Sequence, residues 1–157
     1  MIFLVRHAHA GDKAHHGSDE RRPLSPGGRA EAAGLVSVLA PYPLTRIITS
    51  PADRCRQTVS RIAREHAVPL TVDPRLSREA RVYDALRLIS EAGHEGIALC
   101  THGELIGALL FQLRAAGGPV PRNAGWAKGS VWALEFTAQR LTAARYLPPV
   151  PVHSYAA

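Results

Sequence analysis

The chain has 157 residues, 46% of them hydrophobic and 20% charged, the balance of one globular domain with a core rather than of a disordered or membrane-spanning chain. Seventeen of its 19 basic residues are arginine, with Lys13 and Lys128 the two lysines, and the formal net charge is +6. The arginines are scattered, with no long basic run and no aromatic spacing for stacking bases, which argues against nucleic acid and leaves smaller anions as partners.

In chain order, Ile2 to Val5 is a continuous apolar run, the pattern of a strand buried on both faces of a parallel sheet, and it ends at Arg6-His7. Ala8 to Pro23 is polar and irregular and is expected to be a long binding loop or lid. Ser25-Pro26 predicts a cap and a first helical position for a helix over about Gly27 to Leu39. Arg46 to Thr49 predicts a second short strand. Ser50-Pro51-Ala52-Asp53 repeats the start signal, with Ser50 as cap and Asp53 as the capping acid of a helix reaching about Glu65. Leu70 to Val72 predicts a strand, Leu76 to Glu79 a loop, and Arg81 to Ala92 a helix. Gly96 to Thr101 predicts a further buried strand. Thr101-His102-Gly103-Glu104 again has cap and acid spacing and opens a helix over Glu104 to Arg114. A turn-rich segment, 116–122, leads to two final strands, Ser130 to Thr137 and Arg140 to Tyr146.

Strands alternating with helices predict an α/β three-layer sandwich, with a largely parallel central sheet and an antiparallel edge from the final hairpin. Residues 1–157 are expected to form a single domain. Cys55 and Cys100 have neither CxxC spacing nor the density of a secreted disulfide scaffold, so reduced buried thiols are expected. The N-terminal apolar run is too short for a signal segment, and no stretch approaches the ~18 apolar residues of a membrane span. A cytoplasmic location, with no membrane partner, is the expectation.

Chemistry concentrates at three strand ends, where Arg6-His7, Arg54 and His102 stand. In a parallel sheet these ends share one edge, so residues almost a hundred positions apart can meet, and helix N-termini there add N–H groups that favour an anion. At this point the residues resemble a known family. Leu4-Val5-Arg6-His7-Ala8 is similar to the RHG signature of the histidine phosphatase superfamily, which includes the phosphoglycerate mutases. Arg22-Pro23-Leu24-Ser25-Pro26-Gly27-Gly28 resembles its RPLTxxG segment, Ser50 through Thr58 its SPxxRxxQT segment, and Thr101-His102-Gly103 its second-histidine segment. The short chain looks most like the SixA-type phosphohistidine phosphatases. It also resembles the phosphatase-like domains fused after Nudix hydrolase domains, in RHAHAGDK and KGSVWAL. Ala8 departs from the glycine of RHG, which bears on how closely the loop approaches phosphate.

The resemblance implies a phosphoglycerate mutase-like fold and a metal-independent phosphatase without cofactor. His7 is the implied nucleophile, with Arg6, Arg54 and His102 holding the phosphoryl oxygens. Positive charge from Arg6 and Arg54 is expected to lower the His7 pKa. Glu79 is the candidate general acid, needed by an alkoxide leaving group and less by a phosphoramidate. Arg22, Lys13, His9, Lys128 and Ser130 are candidate substrate contacts. The implied partner is a phosphohistidine-bearing protein or a small phosphomonoester, and a homodimer is allowed. His9, His15 and His16 with His7 raise a metal-hydrolase alternative, but no cluster of Asp, Glu or Cys completes a site. Mutase activity is disfavoured by the short chain. The alternative from another class is a non-catalytic phosphate- or nucleotide-binding module related to the domain fused to Nudix hydrolases.

Overall fold

The computed structural model describes residues 1–15 and 17–152, without the side chain of His15. His16, one of the residues behind the metal alternative, and the end of the tail lie outside the described residues. Six strands, β1 (Ile2–Arg6), β2 (Arg46–Thr49), β3 (Leu70–Val72), β4 (Ile97–Thr101), β5 (Val131–Thr137) and β6 (Arg140–Leu147), alternate with α1 (Pro26–Leu39), α2 (Asp53–His66), α3 (Val82–Ala92) and α4 (Gly103–Ala115).

The strands form one mixed sheet in the order β3-β2-β4-β1-β5-β6. The first four strands are parallel, β5 runs antiparallel to β1, and β6 closes the edge antiparallel to β5. This is the α/β sandwich the sequence predicts, a largely parallel sheet with an antiparallel edge. Alternation along β1 explains the two helical layers, because successive side chains of a strand point to opposite faces. Ile2 and Leu4 pack with Leu88, Ile89, Leu105 and Leu109 of α3 and α4. Phe3 and Val5 pack with Leu35, Leu39, Val59 and Ile62 of α1 and α2. Fully burying a Leu or Ile side chain contributes about 1.5–3 kcal/mol, so this strand anchors its edge of the sheet to both layers.

Register then aligns that edge. Val5 pairs with Cys100, and Cys100 pairs with Thr49 on its other side, so β1, β4 and β2 end level with one another. The residues that follow, His7, His102 and Ser50, therefore leave the sheet side by side.

Two helix starts differ from expectation. Ser25 does cap α1, accepting from the Gly28 N–H. Ser50 does not cap α2; Ala52 stands at that position and Asp53 is already helical. Ser50 Oγ is instead bound to His102 Nε2 at 2.9 Å and accepts from the Ala52 N–H at 3.3 Å. Likewise His102, not Thr101, precedes α4, because Thr101 completes β4 and its hydroxyl donates to the Leu76 carbonyl at 2.6 Å. Cap-like residues were drawn off by partners distant in sequence, which local spacing does not reveal. Cys55 and Cys100 are free and buried.

Candidate active site

Residues 8–23 are not uniformly irregular. Short 3-10 turns, Lys13–His15 and Asp19–Arg21, shape them, and an antiparallel bridge between Ala10 and Leu24 closes their base. Two residues of the Ser50–Thr58 segment hold this loop: Thr58 Oγ1 accepts from the Ala8 N–H at 3.0 Å, and Gln57 Oε1 from the Leu24 N–H at 2.9 Å. Gly28 is required where α1 passes beneath it, since a Cβ there would lie 1.8 Å from the His9 carbonyl oxygen. Ala8 sits in a small apolar cluster with Leu24 and Ala32 and is not among the residues with left-handed backbone, so alanine in place of glycine imposes no strain.

His7 is 6% exposed. Its Nδ1 lies 2.7 Å from the Ala8 carbonyl, and because a carbonyl can only accept, the proton resides on Nδ1 and the lone pair on Nε2. Arg54 Nε donates to that nitrogen at 3.4 Å. The His7 pKa is lowered to about 3, first by burial, then by the charges of His102, Arg54 and Arg6, against the opposing pull of the Ala8 hydrogen bond. The arginines thus contribute less than expected, and desolvation contributes most.

Arg54, 2% exposed, is the hub. Its Nη2 donates to His102 Nδ1 at 3.2 Å and to Asp19 Oδ2 at 2.9 Å, and its Nη1 to the Asp19 carbonyl at 2.6 Å. His102 Nδ1 is therefore an acceptor, and Nε2 carries the proton donated to Ser50 Oγ. The His7 and His102 rings lie edge to face, 5.3 Å between centroids. Arg6 Nη1 donates to the Trp126 carbonyl at 2.7 Å, and its guanidinium packs on Gly103, where a Cβ would come within 2.8 Å of Cζ.

A cavity of about 150 Å³ opens over His7, lined by Arg6, Lys13, Arg22, Arg54, Arg78, His102, Glu104 and Lys128. It is smaller than the ~300–1,000 Å³ of sites that enclose a drug-sized ligand, so it suits a phosphate group whose carrier remains outside. A larger hollow, about 410 Å³ beside Asp53, Arg56 and Ser60 on α2, contains none of these residues.

The geometry thus gathers His7, Arg6, Arg54 and His102, with Arg22, Lys13 and Lys128 around them. Three expected site residues stand apart. Glu79 is exposed and does not line the cavity, because the loop turns its neighbour Arg78 inward. His9 is exposed, its Nδ1 bound to Ser25 Oγ at 2.7 Å, so the N-terminal cap of α1 uses it. Ser130 is 1% exposed and does not line the cavity; its Oγ and Arg6 Nε are buried polar atoms without a hydrogen-bond partner. Among the described residues, no cluster of three His, Cys, Asp or Glu is arranged to hold a metal ion.

Two further residues complete the site. Asp19 Oδ1 pairs with Arg22 Nη2 at 3.0 Å, and Oδ2 with Arg54 at 2.9 Å and Arg78 Nη1 at 3.5 Å. Burial raises the Asp19 pKa, but hydrogen bonds and charge from Arg22 and Arg54 outweigh it and bring it to about 2. Arg78 also binds Glu104 Oε1 at 3.1 Å. The Glu104 pKa is lowered as well, its own backbone N–H and the charges of Arg78 and His102 overcoming burial. Asp19 has a faint sequence signal, its i,i+3 spacing to the arginine of Arg22-Pro23-Leu24; Arg78 has none beyond adjacency to Glu79.

The model of the histidine phosphatase superfamily (branch 1) matches residues 2–79. An 8-oxo-(d)GTP phosphatase of Mycolicibacterium smegmatis is 33% identical over 154 residues, 94% of this chain and 48% of that protein; the chain spans about half the length of this curated relative. A structure from Agrobacterium tumefaciens that is named for the phosphohistidine phosphatase SixA aligns with a TM-score of 0.78 and 26% identity, covering 94% of this chain and 97% of that one. A SixA protein histidine phosphatase complexed with tungstate shares the fold, with a TM-score of 0.76 and 22% identity over 94% and 96% of the two chains. No helix among the described residues is long and apolar enough to cross a membrane.

Proposed function

We propose that this chain, which belongs to the histidine phosphatase superfamily in its SixA-type branch, is a phosphatase that works without metal through a phosphohistidine formed on His7. The observation that carries this reading is the state of His7: neutral, tautomerically fixed by Ala8, and presenting an Nε2 lone pair to an arginine-lined cavity. Nε2 attacks phosphorus and the leaving group departs with the bond's electron pair. Water then attacks the phosphohistidine, the N–P bond breaks, and the lone pair returns to His7 as phosphate and a proton leave. Arg6 and Arg54 hold the oxygens of the planar transferring group and supply positive charge to it. His102, whose Nδ1 accepts from Arg54, stands beside these oxygens as the fourth group of the pocket.

Leaving-group protonation separates the substrate classes. Glu79 stands off the cavity, Asp19 titrates near 2, and Glu104 is held below the usual carboxylate range, so no described carboxyl group is set to donate a proton near neutrality. That favours leaving groups stable without one. A phosphohistidine-bearing protein is such a substrate, in line with the names of the SixA relatives. The name of the Mycolicibacterium smegmatis relative adds nucleotides.

The test is phosphate release from phosphohistidine, an aryl phosphate, a phosphoserine peptide and nucleotides, with a chelator present. Turnover that survives chelation and disappears in His7→Ala supports the reading, with phosphoserine the poorest substrate. Metal-dependent turnover, or turnover that persists in His7→Ala, overturns it. Phosphate binding without any turnover points to the non-catalytic module.

A further inference from the structure

The cavity holds more positive charge than one phosphoryl group needs. Arg6 and Arg54 lie at its base beside His7, and once a terminal phosphate takes the place of Asp19 on Arg54 the two balance its two charges. Arg22 is committed to Asp19 and to the Gly11 carbonyl. Lys13 and Lys128 remain at the mouth, with Arg78 beside them bound to Glu104 and Asp19. They come from three separate segments: the long first loop, the connection between β3 and α3, and the turn before β5. No ion pair engages Lys13 or Lys128 among the described residues, and both are exposed. Among the described residues Glu104 is the one acid lining the mouth, and it is bound to Arg78.

A protein phosphohistidine or a phosphomonoester brings one phosphoryl group and leaves Lys13 and Lys128 facing solvent. A phosphoanhydride brings a second anionic group at the distance of one bridging oxygen from the first. It also matches the chemistry of the base. The group expelled from an anhydride is itself a phosphate ester with a second pKa of ~6, so it departs as a stable anion and needs no general acid.

We infer that Lys13, Arg78 and Lys128 form a subsite for the phosphate adjoining the transferred one, and that the preferred substrate is the terminal phosphoanhydride of a nucleoside di- or triphosphate. This rests on His7 being the nucleophile. The step balances as follows: Nε2 forms a bond to the terminal phosphorus, the bridging P–O bond breaks, and its electron pair stays on the departing phosphate, which the rim cations stabilise. Water then releases inorganic phosphate and one proton. Lysine and arginine bind these oxygens as charge-assisted donors, so the rim contributes to the departing charge as well as to binding.

The experiment compares kcat/KM for a nucleoside diphosphate, the matching monophosphate and an aryl phosphate in the full chain, in K13A/K128A and in R78Q, with circular dichroism to verify folding. The wild type is expected to prefer the diphosphate over the monophosphate by at least about tenfold. In K13A/K128A the diphosphate value is expected to fall at least about ten times further than the aryl phosphate value, with R78Q changing the ratio in the same direction. Proportional losses for all three substrates, or a wild type that turns over the aryl phosphate without favouring the diphosphate, overturn the subsite and leave the His7 phosphatase intact. Diphosphate turnover that persists in His7→Ala, or no turnover of any substrate by the wild type, overturns the catalytic reading and the subsite with it.

Discussion

Replacing Asp19 by asparagine is expected to weaken the fold and, at the same time, tighten phosphate binding. Asp19 occupies the donors of Arg54 that face the cavity, through its carboxylate at 2.9 Å and its carbonyl at 2.6 Å, so an incoming phosphate must displace a resident anion. Its pKa falls from 3.8 to about 2 on folding. At ~1.4 kcal/mol per unit this sets an upper bound of roughly 2.5 kcal/mol. The side chain is 37% exposed, and solvent screening reduces the figure to about 1 kcal/mol. A lowered folded pKa means that this stability is present above pH ~4 and is lost as pH falls through ~2. Urea unfolding at pH 7 is therefore expected to show Asp19→Asn less stable by about 1 kcal/mol, a difference that closes toward pH 2. The same energy, no longer opposing the ligand, corresponds to about fivefold tighter inhibition by inorganic phosphate. Unchanged or weaker inhibition alongside the stability loss would refute the reasoning, and would make Asp19 a residue that orients the arginines rather than one that occupies their site.

Further outcomes follow from the same geometry. Gly103→Ala places a Cβ within 2.8 Å of the Arg6 guanidinium; the flexible end of Arg6 can move, so Tm is expected to change little while kcat drops by about tenfold or more, measured with an aryl phosphate. Gly28→Ala meets the backbone of His9 at 1.8 Å, which cannot yield so cheaply, and calorimetry is expected to show a loss of about 2 kcal/mol or more. Between its ordinary value of 6.5 and about 3, His7 binds a proton in the unfolded chain but not in the folded one, so its contribution to stability rises with pH across that window. Comparing the pH dependence of unfolding in the wild type and His7→Gln is expected to show a shallower slope in the variant between pH 3 and 6.5. Chelator treatment is expected to leave turnover of an aryl phosphate unchanged; loss restored by a divalent ion would return the metal hydrolase to consideration.

Much of this molecule was legible before any coordinates. The apolar run Ile2 to Val5, the Ser25-Pro26 start of α1 and the alternation of strand and helix lead to the mixed sheet, because hydrophobic period and local turn chemistry are properties of short segments. The level ends of β1, β2 and β4 follow from parallel pairing, so Arg6, His7, Arg54 and His102 could be placed together from their positions after strands. Family-like motifs reinforced that placement.

What the sequence could not determine was how residues compete for partners brought from elsewhere in the chain. Ser50 and Thr101 carry sound capping signals, yet His102 and the Leu76 carbonyl claim their hydroxyls. Glu79 and Arg78 are adjacent, and the direction of one loop decides which enters the cavity. Asp19 reads as solvated loop charge until tertiary packing surrounds it with Arg22, Arg54 and Arg78. Even the lowered His7 pKa, foreseeable in direction from two arginines, owes most to burial. The sequence by itself determined the fold class and the four residues at the strand ends, since backbone pairing and apolar periodicity act locally. Only the tertiary structure decided which side chains face the phosphate, because that depends on desolvation and on hydrogen bonds between residues far apart in the chain.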